Sequence, residues 1–136
     1  MDREVTLPIA GSVRFEYVRD DIRRRIRVTA HVPFQAADLV DILDRQVAEG
    51  SWTFGVLYDL SRVEGATARA DAEIIADLVR GYVRMYGQRG RVALVTNDAG
   101  MRGVGQSYGH DVARSGVSLQ LFDDLAAADN WLDQPL

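Results

Sequence analysis

The chain has 136 residues, 47% of them hydrophobic and 26% charged, with a formal net charge of -4 and no cysteine. These figures describe one globular domain over residues 1–136, without disulfides, thiolate metal sites or a cysteine nucleophile, and with no general attraction to nucleic acid or anionic membranes. All 16 basic residues are arginine, which excludes a Walker-type phosphate loop, a Schiff-base lysine and a kinase-type ATP lysine.

Taken in order, residues 13–19 alternate, with Val13, Phe15 and Tyr17 on one face and Arg14 and Glu16 on the other. After a turn at Asp20-Asp21, residues 25–32 alternate again, with Ile26, Val28, Ala30 and Val32 facing in and Arg25, Arg27, Thr29 and His31 facing out. Two alternating runs around a short polar turn predict a β-hairpin. From Gln35 to Glu49 the period becomes helical through Ala36, Leu39, Val40, Leu43 and Val47, and Gly50 suits the left-handed residue that ends a helix.

The run 54–60 is short and continuously apolar, as expected of a strand covered on both faces. A helix follows over 69–86, with Ile75, Leu78, Val79, Tyr82 and Tyr86 as its inner stripe and Asp71 and Glu73 at its positive end. Residues 91–96 predict another buried strand, the glycine-rich segment 97–109 a third helix, 117–122 a last strand, and Asp123 or Asp124 the cap of a final helix carrying Leu125, Ala128, Trp131 and Leu132. The order β-β-α-β-α-β-α-β-α implies an α/β fold with a mixed five-stranded sheet, parallel after the hairpin and covered by helices. Residues 1–12 and 134–136 read as peripheral, and the absence of a long apolar run or a signal-peptide core gives the cytoplasm as the expected location.

Candidate chemistry is sparse. Gly100-Met-Arg-Gly-Val-Gly105 follows a strand and opens a helix, so Asn97, Gly100, Arg102 and Gly103 form a candidate anion or ligand site, although the spacing differs from the dinucleotide fingerprint. Close packing of a short helix on the sheet explains the same glycines. Ser107, His110 and Asp111 have the residue types of a hydrolase triad but crowd one helix instead of converging from separate elements. His31 and His110 stand alone, without metal-ligand spacing. No group of residues reaches the standard of an active site. The chain therefore reads as non-catalytic, with no cofactor and no metal.

Val56-Leu-Tyr-Asp-Leu-Ser-Arg-Val63 resembles the strand-to-loop segment of the STAS fold of bacterial anti-sigma-factor antagonists. The chain as a whole resembles the SpoIIAA-like family, related to STAS and to Sec14-type lipid-binding folds. The matching segments are Trp52-Thr-Phe-Gly, Tyr58-Asp-Leu-Ser61, Arg69-Ala-Asp71, Gly90-Arg-Val-Ala-Leu-Val95, Phe122-Asp-Asp and Trp131-Leu132, and the resemblance spans roughly residues 13–133. It implies a regulatory protein-interaction module that meets a protein partner through Asp59, Ser61, Thr67, Arg69 and Asp71. The antagonists' phosphorylatable serine is missing: this chain has Thr67-Ala-Arg-Ala70 there, with Arg69 near the serine's place. The Sec14 side of the resemblance implies the alternative of a lipid or small amphipathic ligand, with Tyr82, Met85, Met101 and Tyr108 as lining residues. An exposed hairpin edge can also template a second copy of the chain, giving a homodimer.

Overall fold

The structure is a computed structural model that describes residues 14–63 and 69–135. Strands β1 (Phe15–Asp20) and β2 (Arg25–Ala30) form the expected hairpin. Its turn is tied by Asp20, whose Oδ1 accepts from the Arg23 amide at 3.0 Å. Helix α1 (Ala36–Ala48), β3 (Gly55–Asp59), α2 (Arg69–Tyr86), β4 (Val92–Val95), α3 (Ala99–Ala113), β5 (Leu119–Phe122) and α4 (Leu125–Asp133) follow. The sheet order is β1-β2-β3-β4-β5, antiparallel between β1 and β2 and parallel from there on. Thr67, Val13 and the segment 1–12 lie outside the described residues.

This winding decides which face each helix covers. Parallel crossovers are right-handed, and β2 to β5 are laid down without reversing direction. The three crossover helices α1, α2 and α3 must therefore share one face, and only α4, after the last strand, is free to cover the other. The side chains follow this division. Ile26, Val28, Val56, Tyr58, Val92 and Leu94 point into a core shared with α1, α2 and α3. Leu57, Ala93 and Val95 meet Ala128, Leu125, Trp131 and Leu132 of α4. Trp131 anchors α4, its ring 5.6 Å from that of Phe122.

Two sequence expectations are corrected by this arrangement. Arg25 does not face solvent. It is 6% exposed beneath α4, where its Nη1 donates to Asp129 at 2.9 Å and its Nη2 to Asp133 at 2.7 Å. The outward face of β2 is covered because α4 folds back across the sheet. Tyr86 leaves the inner stripe of α2 and is 46% exposed, its ring set edge-on against Trp52 at 6.1 Å.

The Arg25 hydrogen bond, with a smaller contribution from Arg23, holds the Asp133 carboxyl below its ordinary pKa. A carboxylate stabilised in this way contributes fully above its unfolded pKa, and the contribution is lost as pH falls through the lower folded value, below about 4. Asp133→Asn should therefore lower the urea midpoint at pH 7 and leave a smaller difference from the parent at pH 3. An equal deficit at both pH values would show that the ion pair carries no acid dependence.

Candidate functional site

The carboxyl ends of β3 and β4 carry two features, one on each side of the sheet. On the α4 side, Asp59 ends β3 as a buried residue, and its Oδ1 accepts from the Ser61 amide at 3.0 Å and the Ser61 hydroxyl at 2.5 Å. This is an aspartate turn in which the side chain mimics a backbone acceptor. It aims Ser61 and Arg62 outward, where both are exposed. The Leu60 amide donates to the Val95 carbonyl at 2.9 Å, so the exit from β3 is fixed to the end of β4. Asp71, half-buried, lies in the first turn of α2, which Arg69 begins.

The glycine-rich segment folds into the start of α3. Asp98 caps it, accepting from the Met101 amide at 2.8 Å, so a carboxylate occupies the positive end of that helix. The Arg102 guanidinium reaches the Asp123 carboxylate and the Thr96 carbonyl. Gly100 and Gly103 are exposed, as is Asn97. Gly105 and Gly109 serve packing: a Cβ on either would stand 3.0 Å from a Leu121 or Leu119 methyl group.

On the other side of the sheet a cavity of about 60 Å³ opens between α1, α2, α3 and the ends of β3 and β4. Phe34, Leu39, Leu60, Ile75, Leu94 and Met101 give it apolar walls, and Tyr58 and Tyr108 also line it. Ala72 belongs to the lining as well, so the pocket adjoins Asp71 at the first turn of α2. Of the residues expected to line such a space, Met101 and Tyr108 do so. Tyr82 instead stacks on Trp52 at 6.1 Å and donates to Asp44. Met85 is 74% exposed, because its position in the last turn of α2 falls off the stripe formed by Ile75 and Val79.

Behind Tyr58 lies a residue that the sequence reading did not single out. Arg89 is 4% exposed, and its Nη2 donates to the Tyr58 hydroxyl at 2.9 Å and to the Gln46 Oε1 at 3.1 Å. Its guanidinium sits 5.4 Å from the centre of the Trp52 ring. Burial raises the pKa of the Tyr108 phenol, while the nearby Arg89 charge pulls it the other way. Tyr108 thus stays protonated at neutral pH and remains a hydrogen-bond donor.

No family model matches the chain, and no curated protein matches it. Among solved structures, the chain is similar to an uncharacterized protein of the DUF3478 family with a SpoIIAA-like fold, from Shewanella loihica PV-4. The TM-score is 0.56 at 14% identity, over 87% of this chain and 91% of that one. The fold is SpoIIAA-like. In this SpoIIAA-like domain the strand order has no reversal, so it lacks the crevice at which doubly wound sheets bind their ligands. The pocket is lined instead by residues of α1, α2 and α3 together with the ends of β3 and β4. The signal for Arg89 in the sequence was a single arginine between Gly87 and Gly90, just before a buried strand, a placement that ordinarily marks a solvated turn. Among the described residues, no helix is long and apolar enough to cross a membrane.

Proposed function

We propose that the chain is a non-catalytic, STAS-like interaction module that meets a protein partner at the carboxyl ends of β3 and β4 and operates without the usual serine phosphoswitch. The observation that supports this is that Ala72, the residue after Asp71 in the first turn of α2, lines the apolar cavity. A cavity of about 60 Å³ is far below the roughly 300–1,000 Å³ that encloses a drug-sized ligand. It suits one apolar side chain of a partner, with Asp71 beside it and exposed Ser61, held by Asp59 at the exit from β3, supplying orientation, and with Thr67 and Arg69 as further proposed contacts. Arg69, near the position of the family's serine, is not a phosphorylatable residue.

Arg69→Ala combined with Asp71→Ala should lower partner capture from the native lysate at least tenfold, with the far-ultraviolet spectrum unchanged, as expected when charges at an interface rim are removed. Undiminished capture by the double variant would place the partner surface elsewhere.

A second function, the binding of a small amphipathic ligand, is favoured by Tyr58 and Tyr108, which add phenol groups to otherwise apolar walls. Native mass spectrometry of freshly purified protein should then show an added small mass that is lost on partial denaturation.

A further inference from the structure

Arg89 is an anomaly of charge. A buried guanidinium normally sits beside a carboxylate, because an uncompensated buried charge is strongly unfavourable. Here both partners of Nη2 are neutral, Nε has no acceptor, and no carboxylate pairs with the group among the described residues. Arg25, the other buried arginine, has two aspartates.

The surroundings of Arg89 lead to the pocket. The Tyr58 hydroxyl accepts from Arg89, so its own proton is free to be donated in another direction. The Tyr108 hydroxyl makes no hydrogen bond to the described residues, and Tyr108 shares the cavity lining with Tyr58, the residue that Arg89 contacts. Both tyrosines line the cavity, whose remaining walls are apolar. The phenols of Tyr58 and Tyr108, the first hydrogen-bonded by Arg89, are the polar groups of this lining, and Leu60, Leu94 and Met101 are apolar.

We propose that the pocket binds a short-chain aliphatic carboxylate, with its carboxylate accepting from the Tyr58 and Tyr108 hydroxyls in front of Arg89 and its tail among Leu60, Leu94 and Met101. This rests on the amphipathic-ligand function above and specifies its ligand. The cavity of about 60 Å³ limits the enclosed tail to a few carbons. Each methylene that enters should raise affinity about fourfold, and the gain should stop when the space is filled. A matching alcohol has the same tail without the charge.

The test is calorimetric titration of the full chain with acetate, propionate, butyrate, hexanoate and, as the uncharged probe, butanol. Affinity should rise about fourfold per carbon from acetate to butyrate and then level off, with butanol at least tenfold weaker than butyrate. Tyr108→Phe removes one donor without breaking a hydrogen bond of the free protein. It should keep the parent's melting temperature and weaken butyrate about tenfold, the usual effect of losing a hydrogen bond to a charged group. Equal affinity for butanol and butyrate would overturn the anion assignment while leaving an amphipathic pocket in place. Unchanged butyrate affinity in Tyr108→Phe would overturn the placement. Heat from none of the probes would overturn both the carboxylate site and the ligand-binding function beneath it.

Discussion

Gly90→Ala is expected to lower the free energy of unfolding by about 3 kcal/mol, at the upper end of what overpacking costs. A Cβ on residue 90 would stand 2.3 Å from the Phe54 carbonyl oxygen and 2.6 Å from that of Thr53. Both are main-chain atoms, so no rotamer change relieves the clash. The strand entries of β3 and β4 touch here backbone to backbone, and Trp52 on one side and Arg89 on the other hold them in place. The Trp52 indole donates to the Gly87 carbonyl at 3.0 Å, which closes the loop around the contact. Urea unfolding should show a lower midpoint with an unchanged slope, since the surface exposed on unfolding is the same. Gly81→Ala provides the control: that glycine lies on the exposed side of α2 with nothing within 4 Å of the added atom. It should raise stability by up to about 1 kcal/mol. A Gly90→Ala protein within 0.5 kcal/mol of the parent would mean that the two strand entries move apart freely.

Leu57→Ala should cost about 3 kcal/mol and loosen α4 selectively. Leu57 is 0% exposed and sits between the sheet and α4 with Ala93, Val95 and Ala128. The α4 face has one helix of nine residues, against three longer helices on the opposite face. A cavity there has few neighbours able to collapse into it. Hydrogen exchange should show lost protection over Leu125–Asp133 at denaturant concentrations where α1 and α2 remain protected, as expected when stability is unevenly distributed. Leu43→Ala, also at a 0% exposed position but in the larger core, should cost a similar amount without this local effect. Uniform loss of protection in Leu57→Ala would show that the two faces unfold as one unit.

The element order and the strand orientations were legible because hydrophobic period changes from two to 3.6 along this chain, and the helix spans were legible except at α3, which runs to Ala113 beyond the expected 109. Gly50, predicted to end α1, has the positive φ of 76° that this role requires. What the period could not convey was coverage by a distant element. Alternation in β2 assigns Arg25 to the outer face, which is correct, but whether that face is wet depends on α4, about a hundred residues later. Asp129 and Asp133, spaced four apart on one helix face, were the only hint. The pocket was half legible. Met101 and Tyr108 lie in the expected third helix, but Phe34, Leu39 and Leu60 are indistinguishable in sequence from core residues. Met85 looked equivalent to them only until the phase of α2 was fixed. Arg89 was invisible because burial of a charge is decided by tertiary packing, and its partners Gln46 and Tyr58 come from two other elements.

The hold of Arg91 on the last turn of the chain also fixes how the molecule can be handled. Its guanidinium donates to the carbonyls of Trp131, Gln134 and Pro135, at 2.9 to 3.1 Å. Arg91 directly precedes β4, so these residues are pinned at the amino ends of the strands, one strand length away from the pocket mouth. A peptide tag or dye joined beyond Pro135 therefore leaves from a known pole of the domain. On a sensor surface, attachment by that end would present the pocket and the exposed Ser61 and Arg62 to the solution in a uniform orientation, whereas random coupling would mask a share of them.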